Sequence, residues 1–233
     1  MSTTTTSPSP IVAPPHIHTL LQELHKKSLD QEAIIAANKS GKVFSADIIS
    51  NLSSQGQKAQ ADNAANAFDA LMLDKFIALD EDKCHFTYQL ITSMGATNIV
   101  EALTGKREGV VIATEKEESK ASVAREYWKQ CGDVVEKEID LRVGDLLETL
   151  KEGLPVVDLL LLDIWSALAL PTLKTVLPRM RPGAVVLADN TISGAKGYAE
   201  LLAFLRCPEN GFQNMTLPFT NGFEMSVYMP NTH

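Results

Sequence analysis

The second half of the chain carries five short, uninterrupted apolar runs rich in Val, Ile and Leu, at residues 98–103, 110–114, 139–143, 156–162 and 184–188. Such runs lack the in-out alternation of a half-exposed strand, so they read as strands buried on both faces. Amphipathic stretches at 117–130, 145–152 and 167–180 separate the later runs and read as helices. A further helix is expected at 195–205. Two closing strand-like pieces, 215–219 and 223–228, are joined by Thr220, Asn221 and Gly222, and Asn-Gly between apolar runs is a strong hairpin signal. Strands alternating with helices and closed by a hairpin predict an α/β fold: a doubly wound, mostly parallel sheet with a C-terminal antiparallel edge.

The first half has a different texture. Residues 1–15 are Ser, Thr and Pro with little apolar content, and they are expected to form a disordered tail. From His16 to about Ala37, Ile17, Leu20, Leu21, Leu24 and Leu29 recur at helical spacing, with Gly41 as a stop. A second helix is expected over 56–76, and a third over 82–94 with an Asp at its start and Gly95 just past its end. The domain reading is therefore a tail (1–15), an N-terminal helical extension (16–74) and an α/β domain (75–233). A helical extension has an apolar stripe to bury, so a homodimer through these helices is expected.

Composition excludes several functions. The 233 residues include 21 Lys and Arg against 29 Asp and Glu, a net charge of -8. A globally acidic chain lacks the clustered cations that nucleic acid requires, and an anionic membrane surface is equally unsuitable. The longest apolar stretch, 155–171, is interrupted by Asp158 and Asp163, so no membrane span is expected. Cys84, Cys131 and Cys207 are too few and too scattered for a disulfide framework or a zinc site, which points to a cytoplasmic setting.

In open α/β sheets ligands bind beyond the carboxyl ends of the strands, and here those ends are acidic. Glu101, Glu115, Asp163 and Asp189 each stand at or just beyond the end of an apolar run, with Asn190 following Asp189. A carboxylate at the tip of the second strand is a natural acceptor for ribose hydroxyls. Asp163, Asp189 and Asn190 offer hard oxygen ligands from two tips, a set suited to Mg²⁺ or another hard divalent cation. Charged residues also end strands simply because the chain emerges into water there, but their recurrence at four tips favours a site.

The ordered segments DKFIALDEDKCHFTYQLITSMGATNIVEA, VVIATEKE, LRVGDLLETL, VVDLLLLDIW, LPRMRPGAVVLADNT and NGFEMSVYMP resemble the class I, S-adenosylmethionine-dependent O-methyltransferases, in particular the cation-dependent branch that includes catechol O-methyltransferase. The resemblance spans roughly residues 75–230 and implies a Rossmann-like methyltransferase sheet. It implies that Glu101, Glu115, Gly144, Asp145, Asp163 and Trp165 bind S-adenosylmethionine, with Glu115 on the ribose and Gly144 and Asp145 by the adenine. It further implies that Asp163, Asp189 and Asn190 hold a divalent metal, which would clamp two substrate oxygens and acidify the one to be methylated.

Two departures stand against that pattern. The family has a Gly-rich loop and a helix between its first two strands, receiving the methionine part of the cofactor, whereas here only residues 104–109 are left for the connection. A parallel crossover normally takes about a dozen residues or more. A five-residue strand is roughly 17 Å long and six extended residues reach about 20 Å, so a bare return barely spans it. The alternatives are an antiparallel hairpin turning at Gly105 and Gly109, a first strand displaced from the sheet, or a missing coding segment. The second departure is that Ile164, Trp165, Ser166 and Ala167 follow Asp163, where related sites carry a Lys, so no general base is identifiable; Lys174 and Lys196 are the nearest guesses.

The leading functional reading is methyl transfer to a hydroxyl of a small aromatic or polyketide-like molecule, in secondary metabolism. Its alternatives are a methyltransferase-fold protein that has lost methyl transfer and acts as a cofactor-independent isomerase or cyclase, and a binding or partner subunit.

Overall fold

The computed structural model describes residues 8–38, 75–100 and 109–230. Seven strands form one sheet: β1 (Ile99–Val100), β2 (Val111–Glu115), β3 (Ile139–Val143), β4 (Val157–Leu162), β5 (Met180–Asp189), β6 (Phe212–Leu217) and β7 (Phe223–Tyr228). Their spatial order is β3-β2-β1-β4-β5-β7-β6. The first five are mutually parallel and β7 runs antiparallel to β5 and β6. This is the doubly wound sheet with a C-terminal antiparallel hairpin that the apolar runs predict.

Strand β4 explains the central position of its run. All six of its residues are buried, and successive side chains point to opposite faces. Leu160 and Leu162 join Val100, Ile112 and Val186 on one face. There they pack on α6 (Ser166–Val176) through Ala169, Leu173 and Val176, and on α7 (Ala199–Arg206) through Leu201 and Leu205. Leu159 and Leu161 join Ile99, Val185 and Leu187 on the other, under Ile91 of α2 (Glu81–Met94). Each fully buried Leu contributes about 1.5–3 kcal/mol, an upper estimate, and a strand loaded on both faces has its place at the centre of the sheet.

The parallel pairing of β1 with β2, Ile99 opposite Val111 and Val100 opposite Ile112, overturns two of the alternatives for their connection. The strands do not form a hairpin, and β1 is not displaced, because it also pairs with β4. Residues 101–110, which stand between the two strands in sequence, lie mostly outside the described residues.

The helices between strands follow the sequence reading with shifted ends. Helix α3 (Glu118–Cys131) precedes the short α4 (Asp133–Glu136), and α5 (Leu146–Thr149) is a single turn where eight residues are expected. Helix α2 ends at Gly95, whose φ of 61° accepts the left-handed stop. The helix expected over 56–76 and the stop at Gly41 fall almost entirely outside the described residues, and Lys75 and Phe76 are not helical.

Helix α1 spans Pro15–Asn38. Residues 8–14, assigned by composition to the tail, lie against α2: the Val12 N–H donates to the Tyr88 hydroxyl at 3.2 Å, and Ser9 Oγ lies 3.2 Å from His85 Nε2. Tyr127 of α3 meets Phe76 edge-on at 6.0 Å and accepts a hydrogen bond from Lys27 of α1. Among the described residues no helix is long and apolar enough to cross a membrane.

Candidate active site

The carboxyl ends of β4 and β5 bring together Asp163, Asp189 and Asn190, as the strand order requires. Their surroundings differ from a metal centre. Asp189 is 5% exposed, and both of its oxygens already accept hydrogen bonds. Oδ1 takes the Lys83 ammonium at 2.6 Å and the Asn190 N–H at 2.7 Å, and Oδ2 takes the Asn190 side-chain amide at 3.0 Å. Asn190 holds a left-handed backbone, φ 58°, which turns its amide back onto the neighbouring carboxylate.

Lys83 has no exposed surface and bridges two carboxylates, Asp189 and, at 2.8 Å, Asp80. Burial alone would lower its ammonium, but the hydrogen bonds and charges of Asp189 and Asp80 outweigh that and hold it above the ordinary lysine range. The Phe223 ring, 6.0 Å from the ammonium, adds its electron-rich face.

Asp163 retains solvent access although protein crowds it closely. That crowding, then the charge of Asp189, raises its carboxyl to about 6, with Lys83 partly offsetting the rise. The same desolvation and acidic charges push the Cys84 thiol up to about 12 and raise the buried Tyr198 phenol, whose hydroxyl donates to the Ile164 carbonyl at 3.2 Å.

A second group lies at the same edge of the sheet, on β2 and β3. The Gly144 N–H donates to the Glu115 carbonyl at 2.9 Å, which fixes the two tips side by side. Glu115 Oε1 accepts from the Glu117 N–H at 2.9 Å, and its carboxylate retains further acceptor positions. Asp145 is the N-cap of α5, accepting from the Leu147 N–H at 2.9 Å, so its presence has a structural reason independent of any ligand. Glu115 and Gly144 fit the ribose end of a nucleoside cofactor: an acceptor carboxylate beside a residue without a side chain.

Glu101 lies outside the described residues. Trp165 opens α6 and is 49% exposed at the β4 tip, so it does not pack in the core. Of the guesses for a base, Lys174 lies 5.6 Å from the Phe204 ring and packs on α7. His85 lies near Ser9 and Glu81 on the surface of α2. Phe219 joins Phe86 and Phe223 in a cluster of edge-on rings, centroids 5.6–6.2 Å apart, that walls the Lys83 side of the site. Phe212 packs instead on Phe204 and Tyr228. Next to Asp80, a small cleft of about 60 Å³ opens between residues 78–81 and His25, Ser28 and Glu32 of α1.

The expected metal set does not fit a divalent ion. Such an ion needs oxygen ligands at about 2.0–2.6 Å. The Lys83 ammonium already occupies Asp189 Oδ1, and the Asn190 side-chain amide occupies Oδ2. Among the described residues no three His, Cys, Asp or Glu side chains converge as a cation site. Sequence reasoning missed Lys83, yet a signal existed. Lys83, Thr87 and Ile91 recur every four residues and form the buried stripe of α2, so a lysine there has to find a buried anion.

No protein-family model matches the chain, and no curated protein is similar enough to it to match. Solved structures do match. The crystal structure of cofactor-bound Rv0187 from MTB is 21% identical, with a TM-score of 0.59 over 79% of this chain and 96% of that one. The O-methyltransferase from Bacillus cereus in complex with SAH is 18% identical, with a TM-score of 0.59 over 78% and 90%. The O-methyltransferase TomG from Streptomyces achromogenes, involved in tomaymycin synthesis and solved with SAM, is 21% identical, with a TM-score of 0.57 over 77% and 93%. At these identities the likeness is one of architecture, and it agrees with the strand order: the chain has a Rossmann-like methyltransferase fold with a C-terminal antiparallel hairpin.

Proposed function

We propose that the protein is an S-adenosylmethionine-dependent O-methyltransferase acting on a hydroxyl of a small aromatic or polyketide-like molecule, in secondary metabolism. The observation that carries this is the pairing of Glu115 with Gly144 at one end of the carboxyl edge and Asp163 with Asp189 at the other, in a sheet of order β3-β2-β1-β4-β5-β7-β6. The named neighbours TomG and the Bacillus cereus protein, solved with SAM and SAH, support the choice of cofactor.

S-adenosylmethionine, when bound, supplies an electrophilic methyl group. Glu115 would hold the ribose hydroxyls and Gly144 would leave room for the adenine. Asp163 is the base in this reading: a carboxyl raised to about 6 is mostly ionised at neutral pH yet basic enough to take a proton from an acidic hydroxyl. Trp165 and the rings of Phe86 and Phe219 would flank an aromatic acceptor, and positioning would supply much of the rate. Calorimetric titration with S-adenosylmethionine tests the reading directly. Saturable binding is expected, weakened about tenfold in Glu115→Gln, equivalent to ~1.4 kcal/mol. An absence of binding by the intact protein overturns the reading.

A second reading is favoured by one observation, the parallel pairing of β1 and β2 with only ten residues of sequence between them. In it the protein keeps the fold and the acidic edge but has lost methyl transfer, acting as an isomerase, a cyclase or a binding subunit. Formation of S-adenosylhomocysteine with any phenol in a panel removes it. Dimerisation through α1, on which Leu29 and Ile34 are 61% and 60% exposed, belongs to either reading, and a monomer in sedimentation velocity removes that part.

A further inference from the structure

The cation of this site is built into the chain. Three features converge on Lys83: it is entirely buried, its ammonium lies 2.6 Å from Asp189 Oδ1, and Asp80 holds it from the other side at 2.8 Å. Asp189 is itself heavily engaged, its two oxygens taking three N–H donors from Lys83 and Asn190, two of them on Oδ1. Asn190, another of the expected metal ligands, donates its side-chain N–H to that same carboxylate, which ties the two side chains to each other. A divalent ion on Asp189 Oδ1 would have to displace a buried ammonium from one of its two carboxylates, leaving it only the half-exposed Asp80.

We infer that Lys83 takes the place of the divalent ion, so that the site works without a metal and accepts substrates bearing a single acidic hydroxyl. The second part follows from coordination chemistry and rests on the methyltransferase reading above. A metal with open positions selects acceptors that can chelate it through two neighbouring oxygens. An ammonium buried between two carboxylates offers no coordination positions, so that requirement disappears. Lys83 acts here as a positioning residue: it fixes Asp189 and Asp80 and supplies a permanent positive charge beside Asp163. Nothing in this role consumes or releases a proton.

The experiment is a titration of the full-length protein with Mn²⁺, read by the loss of the free-ion electron paramagnetic resonance signal. The wild type is expected to show no saturable site up to about 1 mM, the weak end of protein sites for hard cations. Lys83→Met keeps the stem and removes the charge, freeing one acceptor position on Asp189 Oδ1, and a gain of at least roughly tenfold in Mn²⁺ affinity is expected. The gain should vanish in Lys83→Met combined with Asp189→Asn. Saturable binding by the wild type that Asp189→Asn abolishes would overturn the inference, and so would a folded Lys83→Met protein that gains no affinity. Should that variant fail to fold, the wild-type titration decides alone. On the substrate side, S-adenosylhomocysteine formation unaffected by EDTA with a monophenol agrees with the inference, whereas activity confined to catechols and abolished by EDTA contradicts it. The Mn²⁺ reading is independent of methyl transfer, so failure of the inference and failure to bind S-adenosylmethionine are separate outcomes.

Discussion

Strand β4 carries an aspartate at its start, Asp158, and another just past its end, Asp163, and the fold treats them in opposite ways. Asp158 accepts from the Thr97 and Asn98 N–H groups at 2.9 and 2.8 Å and pairs with Arg181. Burial would raise its carboxyl, but those donors overcome the penalty and hold it below the usual carboxylate range. Asp163 meets other carboxylates instead, and it stays raised at about 6. One aspartate ties β4 to the start of β1 and to β5; the other is kept uncomfortable at the edge where ligands bind in such sheets. In the sequence the two are nearly equivalent, bracketing the run LLLL. A carboxylate surrounded by donors is structural, and one facing like charges is available for chemistry.

The comparison is most severely tested by Asp158→Ala, which leaves two backbone N–H groups and a guanidinium without their acceptor. A loss of about 2–4 kcal/mol is expected in urea denaturation, with the fold otherwise retained. Arg181→Met removes one donor and leaves the backbone pair in place. Arg181 is partly exposed, so about 1 kcal/mol is expected by the same measurement. Asp163→Asn should act in the other direction and stabilise the ligand-free protein at neutral pH, by less than about 1 kcal/mol because solvent screens the charge.

The two aspartates also differ in how they respond to pH. Asp163, with its folded value raised to about 6, contributes stability that is fully present below its unfolded value of 3.8 and is lost as pH rises through about 6. Asp158, with its folded value lowered, contributes stability present above 3.8 and lost as pH falls through the folded value. Thermal unfolding followed from acid to neutral pH should therefore lose its decline near pH 6 in Asp163→Asn and keep it in Asp158→Ala. The reverse pattern would mean that the roles of the two ends are exchanged.

Much of the fold is legible because its signals are local. The run at 156–162 is apolar at almost every position because both faces of β4 are covered, and no half-exposed strand would tolerate that pattern. The hairpin is announced by Asn221 and Gly222, which both adopt positive φ, 62° and 84°. A side chain on Gly222 would approach Ile192 Cγ1 to 2.5 Å, so this turn also braces the loop that follows Asp189 and Asn190. The site is legible in outline for the same reason, since acids that follow strand-like runs must gather at one edge of a parallel sheet. What each acid does there is not legible. Asp145 turns out to cap a helix, and the ligand set of Asp189 and Asn190 turns out to be bonded internally.

The sequence by itself determined the order of elements, the class of sheet and the acidic edge, because apolar periodicity, caps and turn residues act over a few neighbours. Only the tertiary structure decided that β1 and β2 run parallel across so short a connection, since strand direction is settled by pairing with β4 as much as by the link. It also decided that Asp189 meets an ammonium and not open coordination space. Lys83 and Asp189 are 106 residues apart, and no local pattern encodes which buried charge will face which. That choice belongs to the packing of α2 across the sheet, which buries the lysine and leaves the strand-tip carboxylates as its counter-charges.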